Sequence, residues 1–154
     1  MIRLSRLTDY GVVLMSYVAA DPDRVHTTTE VAAGAHLPLP TVSKLLRILT
    51  RAGLLASHRG VKGGYIVARR PEEISVADII GALEGPIALT RCTDGCPGSC
   101  QHEPLCLVRS HWQKINQAVR EALDHIPLSE MATPMSPRFM SAPLAASAGQ
   151  SHAV

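Results

Sequence analysis

Residues 27–70, TTTEVAAGAHLPLPTVSKLLRILTRAGLLASHRGVKGGYIVARR, carry the strongest structural signals of the chain. Thr27 is followed three residues later by Glu30, a capping box that marks the start of a helix. A second helix begins at Pro40, because proline is favoured in the first helical turn. It ends at Gly53, since glycine readily adopts the left-handed conformation that terminates helices. The stretch therefore predicts two short helices joined by a tight turn.

The second of these helices has two chemically different faces. Apolar residues at intervals of 3, 1 and 3 predict a buried stripe of Val42, Leu45, Leu46 and Leu49. The other face is polar and cationic, with Thr41, Ser43, Lys44, Arg47 and Arg51. Such a helix can enter the major groove of DNA, where long cationic side chains reach phosphates and guanine edges. Taken alone, the pattern also fits a surface helix with solubilising charges.

A basic hairpin is predicted directly after this helix. Two β-prone runs, residues 54–56 and 65–68, flank a glycine-rich tip that carries Arg59 and Lys62. Helix, turn, helix and basic hairpin is the order of a winged helix-turn-helix, whose wing follows the DNA backbone or enters the minor groove. A plain hairpin at a domain edge is the alternative. The agreement of three elements in order and charge favours DNA binding.

The charge distribution supports this division of the chain. The 154 residues carry a net charge of +2, of which residues 1–70 contribute +6 and residues 71–154 contribute −4. A basic first half suggests a polyanion-binding module. A first helix over residues 1–20 and a short helix from Ser75 to Glu84 complete a predicted DNA-binding domain, residues 1–88. The sequence lacks an apolar run long enough for a membrane span, so we expect a cytoplasmic protein without a membrane partner.

Residues 89–106 form a polar loop rich in cysteine. The spacing is C-x3-C-x3-C-x5-C, formed by Cys92, Cys96, Cys100 and Cys106. Disulfides are not expected in the cytosol, whereas clustered thiolates hold zinc or iron–sulfur clusters. Structural zinc usually uses C-x2-C pairs, which are absent here, so the spacing favours an iron–sulfur cluster. Zinc, metal-free redox thiols and inert cysteines remain as alternatives.

A long helix is predicted over residues 107–131. Its apolar residues recur at intervals of 4, 3, 4, 3 and 4, an a/d seam of Val108, Trp112, Ile115, Val119, Ala122 and Ile126. Packing onto the chain's own winged helix is one interpretation. A homodimer seam is favoured, because helix-turn-helix proteins usually read two half-sites through two-fold symmetry. Residues 132–154, rich in Ala, Ser, Pro and Met, are predicted to be a disordered tail.

These motifs together resemble the IscR/NsrR group of bacterial regulators, the Rrf family. The resemblance rests on the opening Met1–Tyr10, the stretch Leu45–Gly53, the wing Arg59–Tyr65 and three cysteines before a Trp-containing helix, and it covers residues 1–131. It is greatest to the branch that regulates the SUF iron–sulfur assembly system. The resemblance implies a winged-helix homodimer that binds operator DNA, with each long helix crossing its partner. It also implies a two-iron or four-iron cluster near the dimer interface, whose state alters DNA affinity.

The resemblance carries over to particular cysteines. By position, Cys92, Cys100 and Cys106 match the family's three ligands, although the first two lie further apart than in many members. Arg109 occupies the place where some members carry a ligating histidine. The fourth ligand therefore stays open, and its candidates are Asp9, Cys96 and His102. In part of the family an acidic residue at the position of Asp9 is a ligand supplied by the partner subunit.

Two other kinds of protein are alternatives to a regulator controlled by an iron–sulfur cluster. One is a zinc-stabilised or metal-independent winged-helix repressor that uses its cysteines as redox thiols. The other is an enzyme, which is not expected, because the sequence shows no paired catalytic carboxylates, phosphate loop or nucleophile motif. As a mechanism, gain or loss of a cluster would change the spacing of the two recognition helices on half-sites ~34 Å apart.

Overall fold

The structure is a computed structural model that describes residues 3–93, residue 100 and residues 105–132. The described residues are mainly α-helical with one β-hairpin, as the sequence predicted. In chain order the elements are α1 Arg6–Ala19, α2 Thr28–Gly34, α3 Leu39–Arg51, β1 Leu55–His58, β2 Gly64–Val67, α4 Val76–Glu84, α5 Arg109–Asp124 and α6 Leu128–Met131, with 3-10 turns at Pro71–Glu73 and Arg91–Thr93.

The core forms where α1, α3 and α4 meet. The predicted stripe of α3 is fully buried, and it belongs to the same apolar cluster as a stripe of α1, Leu14, Met15 and Val18. Burial of one such side chain contributes roughly 1.5–3 kcal/mol, so this cluster is a major source of stability in the winged helix. Leu128 of α6 is also fully buried in the same core, which attaches the C-terminal helices to the DNA-binding unit.

The helix boundaries follow from local capping. The Ser5 side chain accepts a hydrogen bond from the Thr8 N–H, so α1 begins at Arg6 rather than at Met1. Thr27 caps α2 by accepting from the Glu30 N–H, but the Glu30 carboxylate pairs with Arg24, so only one half of the predicted capping box is present. Ser75 and Asp78 form a reciprocal capping box at the start of α4. Polar side chains placed just before apolar stripes therefore set the start of each of these helices.

The hairpin pairs β1 and β2 in antiparallel register, from Leu55 opposite Val67 to His58 opposite Gly64. A third segment adds to its edge, because His26 and Tyr65 exchange two backbone hydrogen bonds of 2.8 Å. A Cβ at Gly64 would lie only 2.3 Å from the His26 carbonyl oxygen, so this approach requires glycine. The wing is thereby fixed to the segment that precedes α2.

The prediction of a single helix over residues 107–131 is wrong. The structure ends α5 at Asp124 and starts the separate α6 at Leu128. Pro127 explains the break, because proline lacks the N–H that a continuous helix needs and disfavours helical backbone at the preceding residue. The heptad spacing extended to Ile126 and hid this boundary. The tail predicted over residues 132–154 lies outside the described residues apart from Ala132.

Candidate nucleic-acid interface and cysteine segment

The polar face of α3 is presented to solvent as the sequence predicted. Lys44, Arg47 and Arg51 are exposed, while Thr41 and Ser43 are half-buried. The Ser43 hydroxyl donates to the Leu39 carbonyl at 2.9 Å, and the Arg47 Nε donates to the Ser43 carbonyl at 3.1 Å. These bonds leave the hydroxyl oxygen of Ser43 as an acceptor and hold the start of the Arg47 guanidinium against the helix. The face offers three cations flanked by two hydroxyl groups.

The wing carries its cations on a tip that only glycine can build. Gly60 has a φ of 119°, and the Gly63 N–H donates to the Gly60 carbonyl at 2.9 Å. A Cβ at Gly63 would lie 2.6 Å from the His58 carbonyl oxygen, so the turn excludes larger residues. Arg59 and Lys62 are both exposed on this turn.

One residue of the tip was missed by sequence reasoning. Val61 lies between the two cations, and its apolar side chain is fully exposed. An apolar residue in a short glycine-rich tip has no core within reach, which is the signal that identifies it. An exposed apolar side chain flanked by cations suits contact with the minor groove, where proteins combine cationic and apolar groups.

The cysteine segment begins with a small network of hydroxyl groups. Cys92 lies in the short turn Arg91–Thr93, and its sulfur is 3.1 Å from the Thr90 hydroxyl oxygen. The Thr93 hydroxyl in turn donates to the Thr90 carbonyl at 2.8 Å. These contacts fix the first predicted ligand relative to the segment that leads to it.

The predicted ligands have suitable chemistry, but the described residues do not assemble them. Cys92, Cys100 and Cys106 are half-buried and free of disulfides, and cysteine thiolates bind soft metals. Within residues 3–93, 100 and 105–132, no three or more His, Cys, Asp or Glu side chains lie together in a way that holds a metal ion. Cys96 and His102 lie outside the described residues.

Asp9, the remaining candidate ligand, lies in the first turn of α1 and is exposed. It lines a groove of about 530 Å3 together with the apolar side chains of Val12 and Val13 and the ring of Tyr17. The groove therefore places a carboxylate beside an apolar surface of α1.

The seam of α5 is exposed in the single chain. Val108 is 51% exposed, Ile115 47% and Trp112 38%, and Ile126 is also exposed. Val119, in the middle of the seam, is half-buried, and α5 contacts α4, so the helix packs partly onto the chain's own winged helix. Leu105 and Leu107, on either side of Cys106, are exposed as well.

A buried amide joins α5 to the segment that precedes Cys92. The Leu89 N–H donates to Asn116 Oδ1 at 2.9 Å, and Asn116 Nδ2 donates to the Ile87 carbonyl at 3.0 Å. Sequence reasoning missed Asn116, because these partners lie 27 and 29 residues away in the chain.

A carboxylate joins the end of α4 to the start of α1. The Ser5 N–H donates to Glu84 Oε1 at 2.8 Å, and the buried Thr8 hydroxyl donates to the same oxygen. These hydrogen bonds, chiefly that from Thr8, lower the pKa of Glu84 below its ordinary value, because they favour the charged form. Glu84 is the last residue of α4, so its hydrogen bonds hold the end of that helix against the start of α1.

Glu84→Gln is expected to lower the free energy of unfolding at neutral pH by about 1 kcal/mol, since a charged acceptor is lost from two hydrogen bonds at a partly exposed site. The folded pKa lies below the unfolded one, so the stabilisation is complete above the unfolded pKa and disappears as pH falls through the folded pKa. Urea titrations across acidic pH measure the difference between the two proteins. Glu72→Gln, at an exposed carboxylate, is the control. A difference for Glu84→Gln that stays constant as pH falls would contradict this assignment.

The described residues define the class of protein by their fold alone. A three-helix core, a hairpin with a cationic tip and an exposed cationic face on α3 together make a winged helix-turn-helix. Among the described residues, no helix is both long and apolar enough to cross a membrane.

The chain belongs to the Rrf2 family, because the family model described as an iron-dependent transcriptional regulator matches residues 4–134. The family is one of transcription regulators, not of enzymes. The sequence is 31% identical over 133 residues to the HTH-type transcriptional regulator CymR of Bacillus subtilis, covering 86% of this chain and 91% of CymR. It is 33% identical over 96 residues to an HTH-type regulator of Neisseria meningitidis, a match that spans 62% of this chain and 64% of that relative.

Two experimental structures share the fold. The structure of CymR, the global cysteine regulator of B. subtilis, matches with a TM-score of 0.67 and 29% identity, covering 86% of this chain and 98% of that chain. The structure of T. potens IscR matches with a TM-score of 0.66 and 29% identity, covering 92% and 94%. The predicted resemblance to this family is confirmed.

Proposed function

We propose that the chain is a homodimeric, cytoplasmic regulator that inserts α3 into the major groove of operator DNA and lays its wing along the backbone or the minor groove. The observation that carries the proposal is the division of α3 into two faces. Its apolar stripe is completely buried, whereas Lys44, Arg47 and Arg51 are exposed. A helix fixed by one face and cationic on the other is suited to contact bases and phosphates.

The wing supplies a second set of contacts. Arg59 and Lys62 lie on a turn whose shape is fixed by glycine, so their backbone positions are set before DNA arrives. Lys and Arg contacts to phosphates release counterions, and affinity then falls steeply with salt. Contacts from α3 to base edges would supply sequence discrimination, and contacts from the wing would supply mainly affinity and register.

Lys44→Ala and Arg59→Ala are each expected to weaken DNA binding by about tenfold, because each removes one cationic contact. The probe is a duplex selected by the wild-type protein from a randomised pool, with binding measured by fluorescence anisotropy at several salt concentrations. Arg70→Ala is the matched control, since it removes the same charge from a residue paired with Glu73 at 2.6 Å. Wild-type affinity in both test variants would show that α3 and the wing are not the DNA-reading surface.

The exposed seam of α5 supports the homodimer. Exposed apolar side chains at heptad spacing cost free energy in water, and pairing with a second copy removes them from solvent. A two-fold axis through α5 would present two copies of α3 to successive turns of the same face of DNA. The sequence predicted this role, and it stays a proposal.

For the cysteine segment we propose an iron–sulfur cluster held by Cys92, Cys100 and Cys106, with a fourth ligand from Asp9, Cys96 or His102. Three half-buried free thiols and the iron-dependent description of the family support the proposal. When bound, the cluster would supply a redox-sensitive cross-link between points of the chain that are otherwise held separately. The chain's own part is to tether the segment through Thr90 and Asn116, so that a change there reaches α5. Genes for iron–sulfur assembly are the proposed target.

A thiol-based regulator is the second candidate. It is supported by the similarity to Staphylococcus aureus CymR, whose structure is known in an oxidised form, and by the three half-buried free cysteines of this chain. In this alternative, zinc binding or oxidation of the thiols replaces the cluster.

Metal analysis separates these candidates. We expect protein purified without oxygen to contain iron and sulfide and to absorb visible light. We expect Cys92→Ala to lose most of the iron and sulfide and most of the visible absorbance, because one of three thiolate ligands is removed. The Cys96→Ala, Asp9→Ala and His102→Ala variants identify the fourth ligand, with far-UV circular dichroism as a control for folding. A colourless protein that takes up only zinc, or no metal after anaerobic reconstitution, would contradict the cluster and favour the thiol-based alternative.

A further inference from the structure

Helix α5 is firmly attached to the winged helix at its C-terminal end. The Val76 N–H donates to the Ile126 carbonyl at 3.0 Å, and the Leu128 N–H donates to the Ile74 carbonyl at 2.7 Å. Leu128 is fully buried in the core directly after these bonds. This attachment is made by backbone, so it holds the end of α5 whatever happens at the cysteines.

A different kind of attachment holds the middle of α5. Asn116 is 6% exposed, and among the described residues it is the one buried residue of this helix. Its amide pairs with both backbone groups of the adjacent segment, the Ile87 carbonyl and the Leu89 N–H. The side chain therefore acts like an added peptide unit of a β-bridge. It satisfies polar groups that would otherwise be left without partners in a buried place.

The segment to which Asn116 is hydrogen-bonded leads directly to the first cysteine. Leu89 lies three residues before Cys92, and the Thr90 hydroxyl contacts the Cys92 sulfur at 3.1 Å. A displacement of Cys92 would therefore act through these short links on the pair of hydrogen bonds that Asn116 makes. Because the residues that follow α5 are bonded to the start of α4, such a displacement would alter the orientation of the helix relative to that end.

We infer that Asn116 is the positioning residue through which the cysteine segment sets the orientation of α5, and with it the dimer seam. The inference rests on the proposed function, in which α5 pairs two copies and the cysteines respond to a signal. An apolar residue of similar size at this position would fill the same space but would leave the Leu89 N–H and the Ile87 carbonyl without this partner. It would leave the helix without a specific link to the segment before Cys92.

The chain provides its own reporter of this coupling. Trp112 is the single tryptophan of the protein, lies one helical turn before Asn116 on α5 and is partly exposed. Its emission therefore reports the surroundings of α5. The test uses the full chain with Cys96, Cys100 and Cys106 replaced by serine, so that N-ethylmaleimide alkylates Cys92 alone.

Four proteins are compared in this background. Alkylation of Cys92 is expected to shift the Trp112 emission when Asn116 is present, and to leave it unchanged in Asn116→Leu, which keeps the side-chain size and loses both hydrogen bonds. Asn116→Asp, which keeps the acceptor for the Leu89 N–H, is expected to give an intermediate shift. Gln117→Ala is the matched control, because it removes the neighbouring amide, which bonds only Glu121 at 2.8 Å on the same helix. Its shift is expected to equal that of the unaltered Asn116 protein.

The outcomes are distinct. A shift in Asn116→Leu as large as in the Asn116 protein, or no shift in the Asn116 protein, would overturn the inference. If Asn116→Leu fails to fold by circular dichroism, Asn116→Asp decides, since an undiminished shift there overturns it equally. The proposed function is tested separately by comparing DNA affinity of the wild-type chain with and without its metal. Equal affinities would remove cluster control, while the Trp112 measurements would still decide the role of Asn116.

Discussion

The burial of one face of α3 in the core constrains what the rest of the molecule presents to its surroundings. Leu45, Leu46 and Leu49 are completely buried in the apolar cluster that α3 shares with α1, α2 and α4, so the rotation of α3 about its axis is fixed. With 3.6 residues per turn, that rotation directs Lys44 and Arg47 to solvent. A change of packing in this core would rotate α3 and move its cationic face away from its present position, even if each cation were retained. The wing depends on the same unit, because β1 follows α3 after a single glycine turn at Gly53, where φ is 76°.

A second level of organisation connects the winged helix to the C-terminal part. Among the described residues, Asn116 bonds to the segment before Cys92, the Ser75 hydroxyl donates to Asp124 Oδ1 at 3.4 Å, and backbone bonds join the residues around Pro127 to the start of α4. Within the winged helix, Glu84 joins the end of α4 to the start of α1. The attachments made by polar side chains are specific and sensitive to substitution, whereas the backbone one is insensitive to side-chain identity. The first cysteine follows both Glu84 and the residues bonded to Asn116 in the chain.

Local sequence signals predicted most of the fold. Caps at Thr27 and Ser75, the terminator Gly53 and the stripe of α3 all appeared where expected, because each is governed by residues within a few positions. The prediction of a single helix over residues 107–131 was wrong, because the heptad spacing continues to Ile126 although Pro127 interrupts the helix. The His26 bridge, Glu84 and Asn116 could not be predicted, because their partners are distant in sequence. For the cysteines, spacing indicated the chemistry of the ligands, but not their relative positions in space.

The account depends most directly on α5 pairing two copies, so that two reading helices act on one duplex. Sedimentation equilibrium of the full chain, beside the double variant Trp112→Glu, Ile115→Glu, tests this claim. We expect twice the mass of one chain for the wild type. For the variant we expect the mass of one chain, with an unchanged helical signal and much weaker binding to the selected duplex, since charges in the seam cannot be buried. A wild-type protein that remains a single chain at the concentrations where it binds DNA would contradict the account.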